Sequence, residues 1–267
     1  MADSPAITLL DVRVPLPAPL QEHVRTALSP FVWAMLVGIT SGGLALQVPI
    51  FLLNYADPTR HRAGRFFRDL GVVATKLNPM WDFRVHGRLP NYMPGKTVVV
   101  CNHVSNSDAF LIAHVPYEMK WLGKASLFKV PVFGQLMRMA GDVPVQRGTK
   151  DSIVEAMKRC RENLERGMPV MIFPEGTRSK TADLLPFKDG AFRLAIETGA
   201  DILPMAVAGT KDALPKHSWR FGFSKGLVHV GEPISTEGLT LNDLPDLRER
   251  ARDAVAELLT EIQTLVE

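Results

Sequence analysis

The chain has 267 residues, 46% of them hydrophobic and 22% charged, which suits one sizeable α/β domain with its own core and a small appendage. The formal net charge is only +3, and no nucleic-acid partner is expected. Two cysteines, Cys101 and Cys160, with no C-x-x-C pair, argue against a zinc framework or a disulfide scaffold.

Residues 1–25 contain the proline-rich run PLPAPL and read as an irregular arm that ends in a short helix. Residues 26–80 read as a membrane-associated helical segment. Its first part, Thr26 to Ala56, has no charged residue, and its run FVWAMLVGITSGGLALQVPIFLL is long enough to cross a hydrocarbon core as a helix. The run starts too late and is too long for a signal peptide. Gly42-Gly43, Gln47 and Pro49 weaken a single straight span, so residues 31–53 either span the bilayer or dip into one leaflet. In the following segment Phe66, Leu70, Val73, Ala74 and Leu77 fall on one helical face, and Arg60, Arg62, Arg65, Arg68 and Lys76 supply positive charge. That composition suits a helix lying in a membrane interface. Charge is unevenly spread: residues 58–150 hold 14 Lys/Arg against 5 Asp/Glu, which points to a phosphate-bearing partner or an anionic surface.

Residues 81–267 read as a catalytic domain in which strands alternate with helices. Strands are expected at Phe83–Arg88, Thr97–Cys101, Lys120–Gly123, Val143–Gln146, Val170–Phe173, Ile202–Ala208 and Val228–Gly231. Helices are expected at Asp108–His114, Val132–Met139, Asp151–Glu165, Gly190–Thr198 and about Leu244–Val266. The pattern implies an α/β fold with a mainly parallel central sheet flanked by helices, and sites where strands end and helices begin.

Three strand ends carry unusual polar residues. After the apolar run Thr97–Cys101 comes 102-NHVSNSD-108. A carboxylate at Asp108, turned back on His103, would hold one ring nitrogen protonated and leave the other free to take a proton. Equally, Asp108 could simply cap the helix that begins there. Strand alternation points Cys101 away from Asn102 and into the core. In 173-FPEGTRS-179 the turn allows close backbone approach at Gly176, Thr177 and Arg178 can donate to a phosphate, and Glu175 can only accept. Lys124 and Arg147 end two further strands and could converge on one phosphate, although each alone is more often a solvated charge. In 202-ILPMAVAGT-210 the proline suggests an edge or a bulge in a strand packed beneath the site.

Together these blocks resemble the glycerolipid acyltransferase family, and most closely the 1-acyl-sn-glycerol-3-phosphate acyltransferases. The first block, N-H-x-S-x-x-D, is present as Asn102, His103, Ser105 and Asp108. The second corresponds to Lys124, Pro131, Gly134, Gly141, Val145 and Arg147, the third to Phe173–Ser179 without change, and the fourth to Ile202–Gly209. The resemblance covers about residues 83–235. It implies the glycerol-3-phosphate acyltransferase-like fold and transfer of a fatty acyl group from a thioester to a lysophospholipid hydroxyl. His103, oriented by Asp108, would be the general base. Arg178, Lys124 and Arg147 would bind the acceptor phosphate. Glu175, Gly176 and Thr177 would line the acceptor pocket, with Asn102 and Ser105 counted among the substrate-binding residues. No metal and no cofactor are implied; acyl-CoA or acyl carrier protein would bring the acyl group as co-substrate. Family members are anchored at the cytoplasmic face of the membrane. The resemblance leaves open other acceptors (glycerol 3-phosphate, another lysophospholipid, a lyso-aminolipid), a lipid or thioester hydrolase, and a lipid-binding protein without activity.

Overall fold

The computed structural model describes residues 18–266 apart from residues 93, 182, 216 and 217, so most of the expected N-terminal arm lies outside the described residues. Seven strands form one sheet: β1 (Trp81–His86), β2 (Thr97–Cys101), β3 (Lys120–Lys124), β4 (Val143–Val145), β5 (Val170–Ile172), β6 (Asp201–Ala208) and β7 (Ser224–Val230), in the order β1-β7-β6-β2-β5-β3-β4. Every neighbouring pair is parallel except β6 with β7. The sheet is therefore mainly parallel, as expected, with a reversed pair at one edge.

All five residues of β2 are buried because both faces of the sheet are covered. Val98 and Val100 enter one core with α5 (Lys150–Glu165), α6 (Gly190–Thr198) and α7 (Leu244–Gln263). Val99 and Cys101 point the other way, into a core shared with Val32, Trp81 and Leu111. Two short helices, α3 (Asp108–Ile112) and α4 (Phe133–Ala140), follow β2 and β3.

Two helices precede the sheet: α1 (Ala18–Leu53) and α2 (His61–Leu77). α1 begins inside the segment expected to be an irregular arm and runs on through Pro30, Gly42-Gly43 and Pro49. Two of the residues that looked like helix breakers, Gly43 and Gln47, belong instead to a docking stripe, while Pro30, Gly42 and Pro49 lie on the exposed face. A Cβ at Gly43 would lie 2.3 Å from a methyl of Leu70, so this glycine is a notch for α2. Gln47 is buried, and its Nε2 donates to the carbonyls of Ala63 and Leu136, both at 3.2 Å. Toward the start of the helix, Arg25 Nε donates to Phe221 O at 3.0 Å and Ser29 Oγ accepts from Phe221 N at 2.9 Å. The outward face stays apolar and open, with Phe31, Val37, Leu46 and Leu52 each more than half exposed.

Three local expectations change. Arg68, read as an interfacial charge, is buried against Asp142, beside a fully buried Lys120 whose Nζ donates to Glu118 Oε1 at 2.7 Å and Ala140 O at 2.8 Å. These four charges pin α2 to β3 and the end of α4; burial without partners would be prohibitive. Pro204 marks neither an edge nor a break, since it lies within β6 in register with Val100 of the central strand. Its carbonyl accepts from Gly231 N at 2.9 Å, so its missing N–H also faces β7, where that strand is ending. β7 starts four residues before the expected Val228, at Ser224, because it pairs with β1 from Ser224 to His229.

Candidate active site

The carboxyl end of β2 delivers Asn102 and His103 at the centre of the sheet. His103 Nδ1 lies 2.7 Å from Asp108 Oδ2. The same oxygen accepts the backbone N–H groups of Val104 at 2.8 Å and Ser105 at 2.9 Å, and Thr210 Oγ1 donates to Oδ1. Asp108 is fully buried. The alternative of a helix cap is thereby corrected: the residue at the N-cap of α3 is Ser107, and the Asp108 carboxylate turns back to close the loop before the helix. A carboxylate on Nδ1 fixes the N–H there and leaves Nε2 as the basic nitrogen.

The imidazole is also held by its face. It stacks on Phe173 at the end of β5, with ring centroids 4.0 Å apart and planes 16° from parallel. Its backbone is clamped on both sides: His103 N donates to Glu175 Oε1 at 2.9 Å, and His103 O accepts from Ser179 N at 2.8 Å. The third block thus cradles the first. Glu175 is buried, and burial is the main cause that raises its carboxyl to about 7; the Asp108 charge adds to this, while the bonds from the His103 and Leu185 backbones and the Arg252 charge oppose it. Gly176 has φ +68, the left-handed region that favours glycine, so the turn keeps its shape without strain.

The expected phosphate ligands come together. Lys124, at the end of β3, and Arg147, just past β4, line one cavity of about 250 Å³ with Ser126 and Lys129. Partial burial of the guanidinium and then the charge of Arg178 hold Arg147 below its ordinary range, so Arg178 is within electrostatic reach of that cation although it does not line the cavity. Lys124, Arg147 and Thr177 are exposed and Arg178 is half-buried, so an anion could reach them. A second cavity of similar size opens on Val104, between the end of β6 and α7, and includes Lys211 and Lys225.

Three expected substrate contacts are not available, the first being Glu175, which is buried with its Oε1 on His103 N instead of lining a pocket. Asn102 is buried; its Nδ2 donates to Val207 O at 2.9 Å and its Oδ1 accepts from Val207 N at 2.8 Å, which staples the loop to β6. Ser105 is buried too, its Oγ accepting from Ser107 Oγ at 2.8 Å. Both residues shape the loop and are turned away from the opening. Conversely, Thr210 and the stacking role of Phe173 were not singled out from sequence. Each stood at the end of a quoted block, but only the fold brings it to Asp108 or His103. Among the described residues no hydroxyl or thiol is hydrogen-bonded to the His103 ring, and burial, with the charges of Asp108 and Glu175, pushes the adjacent Cys101 thiol well above its ordinary range.

The arrangement can therefore take a proton at Nε2, stabilise the resulting imidazolium with a buried carboxylate, and hold an anion at a cluster of cations. Comparison with known proteins agrees with this chemistry. The Acyltransferase family model matches residues 82–208. A 1-acyl-sn-glycerol-3-phosphate acyltransferase of Chlamydomonas reinhardtii is 30% identical over 249 residues, covering 92% of this chain and 72% of its own. The human 1-acyl-sn-glycerol-3-phosphate acyltransferase alpha is 30% identical over 222 residues, covering 80% and 78%. Some chloroplast relatives are longer, and the chain spans less than half of their length. Among solved structures, the 1-acyl-sn-glycerophosphate acyltransferase PlsC of Thermotoga maritima shares the fold, with a TM-score of 0.70, 24% identity, and coverage of 89% of this chain and 97% of that one.

Proposed function

The chain belongs to the 1-acyl-sn-glycerol-3-phosphate acyltransferase family and is an O-acyltransferase, and we propose that it moves a fatty acyl group from acyl-CoA or acyl carrier protein to the free hydroxyl of 1-acyl-sn-glycerol 3-phosphate, forming phosphatidate for phospholipid synthesis. The observation that carries this reading is the 2.7 Å His103–Asp108 pair, whose free Nε2 stands on the same sheet edge as Lys124, Arg147 and Arg178.

In this mechanism the acceptor phosphate binds Arg178 and Arg147 with help from Lys124, and the glycerol backbone lies along Gly176 and Thr177. His103 Nε2 takes the hydroxyl proton as the oxygen attacks the thioester carbonyl. The tetrahedral oxyanion is met by hydrogen-bond donors of the loop. Collapse breaks the C–S bond, and the thiolate leaves with the proton returned by the imidazolium. Buried Asp108 stabilises that imidazolium throughout. No acyl-enzyme forms, because Cys101 is buried and Ser105 and Ser107 are turned into the loop and bonded to each other. Glu175 acts from behind, fixing the His103 backbone. No metal takes part in this transfer.

The apolar outer face of α1 supports membrane association, and we read it as lying along one leaflet at the cytoplasmic surface. α1 is fastened to the domain from Arg25 to Gln47, a length of about 33 Å at the helical rise. A bilayer core is about 30 Å thick, so a spanning α1 would drag the flank of the charged catalytic domain into hydrocarbon. A leaflet position also spares the lipid acceptor from water, which costs ~0.8 kcal/mol per exposed CH₂. Purified protein given oleoyl-CoA and lysophosphatidate should release free thiol and produce phosphatidate in equal amounts. Thiol without a new lipid would mean hydrolysis, and product from another acceptor alone would move the assignment there.

A further inference from the structure

At the edge of the sheet away from β4, β1 and β7 lie side by side with His86 in register with His229. Glu261, on α7, reaches over the pair. One ligand atom from each of the three residues lies within 4.8 Å of the other two. The imidazoles stand nearly perpendicular, at 84°, with ring centroids 5.0 Å apart. Nothing in the acyl-transfer site uses these residues: β7 is two strands from β2 and β1 three, or about 10–14 Å at the usual strand spacing.

The polar geometry is unusual in one respect. Glu261 Oε2 is 3.2 Å from His229 Nδ1, yet that buried nitrogen makes no hydrogen bond. The carboxylate is thus close but off the N–H axis. Off-axis approach is what two donors show when they converge on a shared ion. With bonds of about 2.0–2.1 Å in a tetrahedral site, ligand atoms sit roughly 3.3 Å apart. The other end of the His229 ring rests against Gly87, where a Cβ would lie 3.1 Å from Nε2, and the missing side chain gives the ring room to present Nδ1 to the cluster. The Glu261 side chain is 59% exposed, free to swing inward for the remaining adjustment.

We infer that His86, His229 and Glu261 bind one divalent transition-metal ion of the zinc type, which clamps the C-terminal helix α7 to the β1–β7 edge. Two imidazoles and one carboxylate suit zinc, with a water completing four-coordination. The site closes a loop from β1 to α7 across most of the domain. Its effect is therefore on the stability of the fold.

The test uses the full chain without a polyhistidine tag, stripped with EDTA and dialysed. Titration with Zn²⁺ followed by calorimetry should give one ion per chain with Kd below about 10 µM, and bound ion should raise Tm by mass action. Co²⁺ in its place should give the intense visible bands of a four-coordinate site. Glu261→Gln changes an exposed residue and keeps the fold; with His86→Ala it should weaken binding at least about tenfold and abolish the rise in Tm. Acyl transfer under assay conditions should be unchanged in Glu261→Gln. Failure to bind near 1:1, or unchanged affinity in both variants, would overturn the inference.

Discussion

Replacing Asp108 with Asn separates the charge at the proposed active site from its shape. The buried carboxylate accepts four hydrogen bonds, three of them on Oδ2: from His103 Nδ1, Val104 N and Ser105 N at 2.7, 2.8 and 2.9 Å. An asparagine carbonyl in the Oδ2 position keeps those three. Its NH₂ then meets Thr210 Oγ1, a hydroxyl that can rotate from donor to acceptor. The loop should survive at a cost of about 1–2 kcal/mol, the difference between charged and neutral acceptors. The imidazolium, by contrast, loses the negative charge bonded to it. For a histidine base oriented by a buried carboxylate, that loss lowers kcat by roughly 10³–10⁴-fold, or about 4–5.5 kcal/mol of transition-state energy. The assay is thiol release at saturating oleoyl-CoA and lysophosphatidate, alongside urea unfolding of the same preparation. A folded Asp108→Asn protein that turns over within tenfold of the parent would refute the argument that the pair acts as base and orienter.

Arg178→Ala and Arg147→Ala should each raise the acceptor KM about 10–100-fold, as expected for losing charge-assisted bonds worth about 1.5–3 kcal/mol, with the donor KM little changed; an unchanged acceptor KM in both would move the phosphate elsewhere. Glu175→Gln should stabilise the protein at high pH. A carboxyl raised from 4.5 to about 7 binds its proton more tightly in the folded state, so it erodes stability as pH rises from about 4.5 to 7. The variant should match the parent below pH 4.5 and exceed it by at most about 3 kcal/mol above pH 7 in urea unfolding; a constant offset would contradict this. Leu46→Lys with Leu52→Lys, both on the open face of α1, should weaken co-sedimentation with lipid vesicles without changing the melting temperature by more than a few degrees. Full vesicle binding would argue that another surface holds the membrane.

The catalytic half of the chain was legible because its signals are local. The run Thr97–Cys101 has to be a buried strand, and it forms β2 with those same bounds. Gly190–Thr198 likewise matches α6, which is closed by Gly199 in the left-handed region. The link between His103 and Asp108 spans five residues, so spacing alone could suggest it. Long-range bonds were not legible. Thr210 is 102 residues from Asp108, and Asn102 meets Val207 across the sheet, so nothing local distinguished a scaffold amide from a substrate contact. α1 was legible as an apolar helix but not as a docked one: its packing on α2 and on Phe221 depends on residues far along the chain. The four buried charges at Lys120 were hidden in the same way, since burial of a lysine depends on partners contributed by two other segments besides the neighbouring Glu118.

In the proposed transfer His103 deprotonates a lipid hydroxyl, and the paired yield of thiol and phosphatidate from His103→Ala tests this. Both yields should fall together by at least about 10³-fold, while the folded variant still binds lysophosphatidate through Arg178 and Arg147. Phosphatidate formation within tenfold of the parent, in a variant that lacks the imidazole, would contradict it.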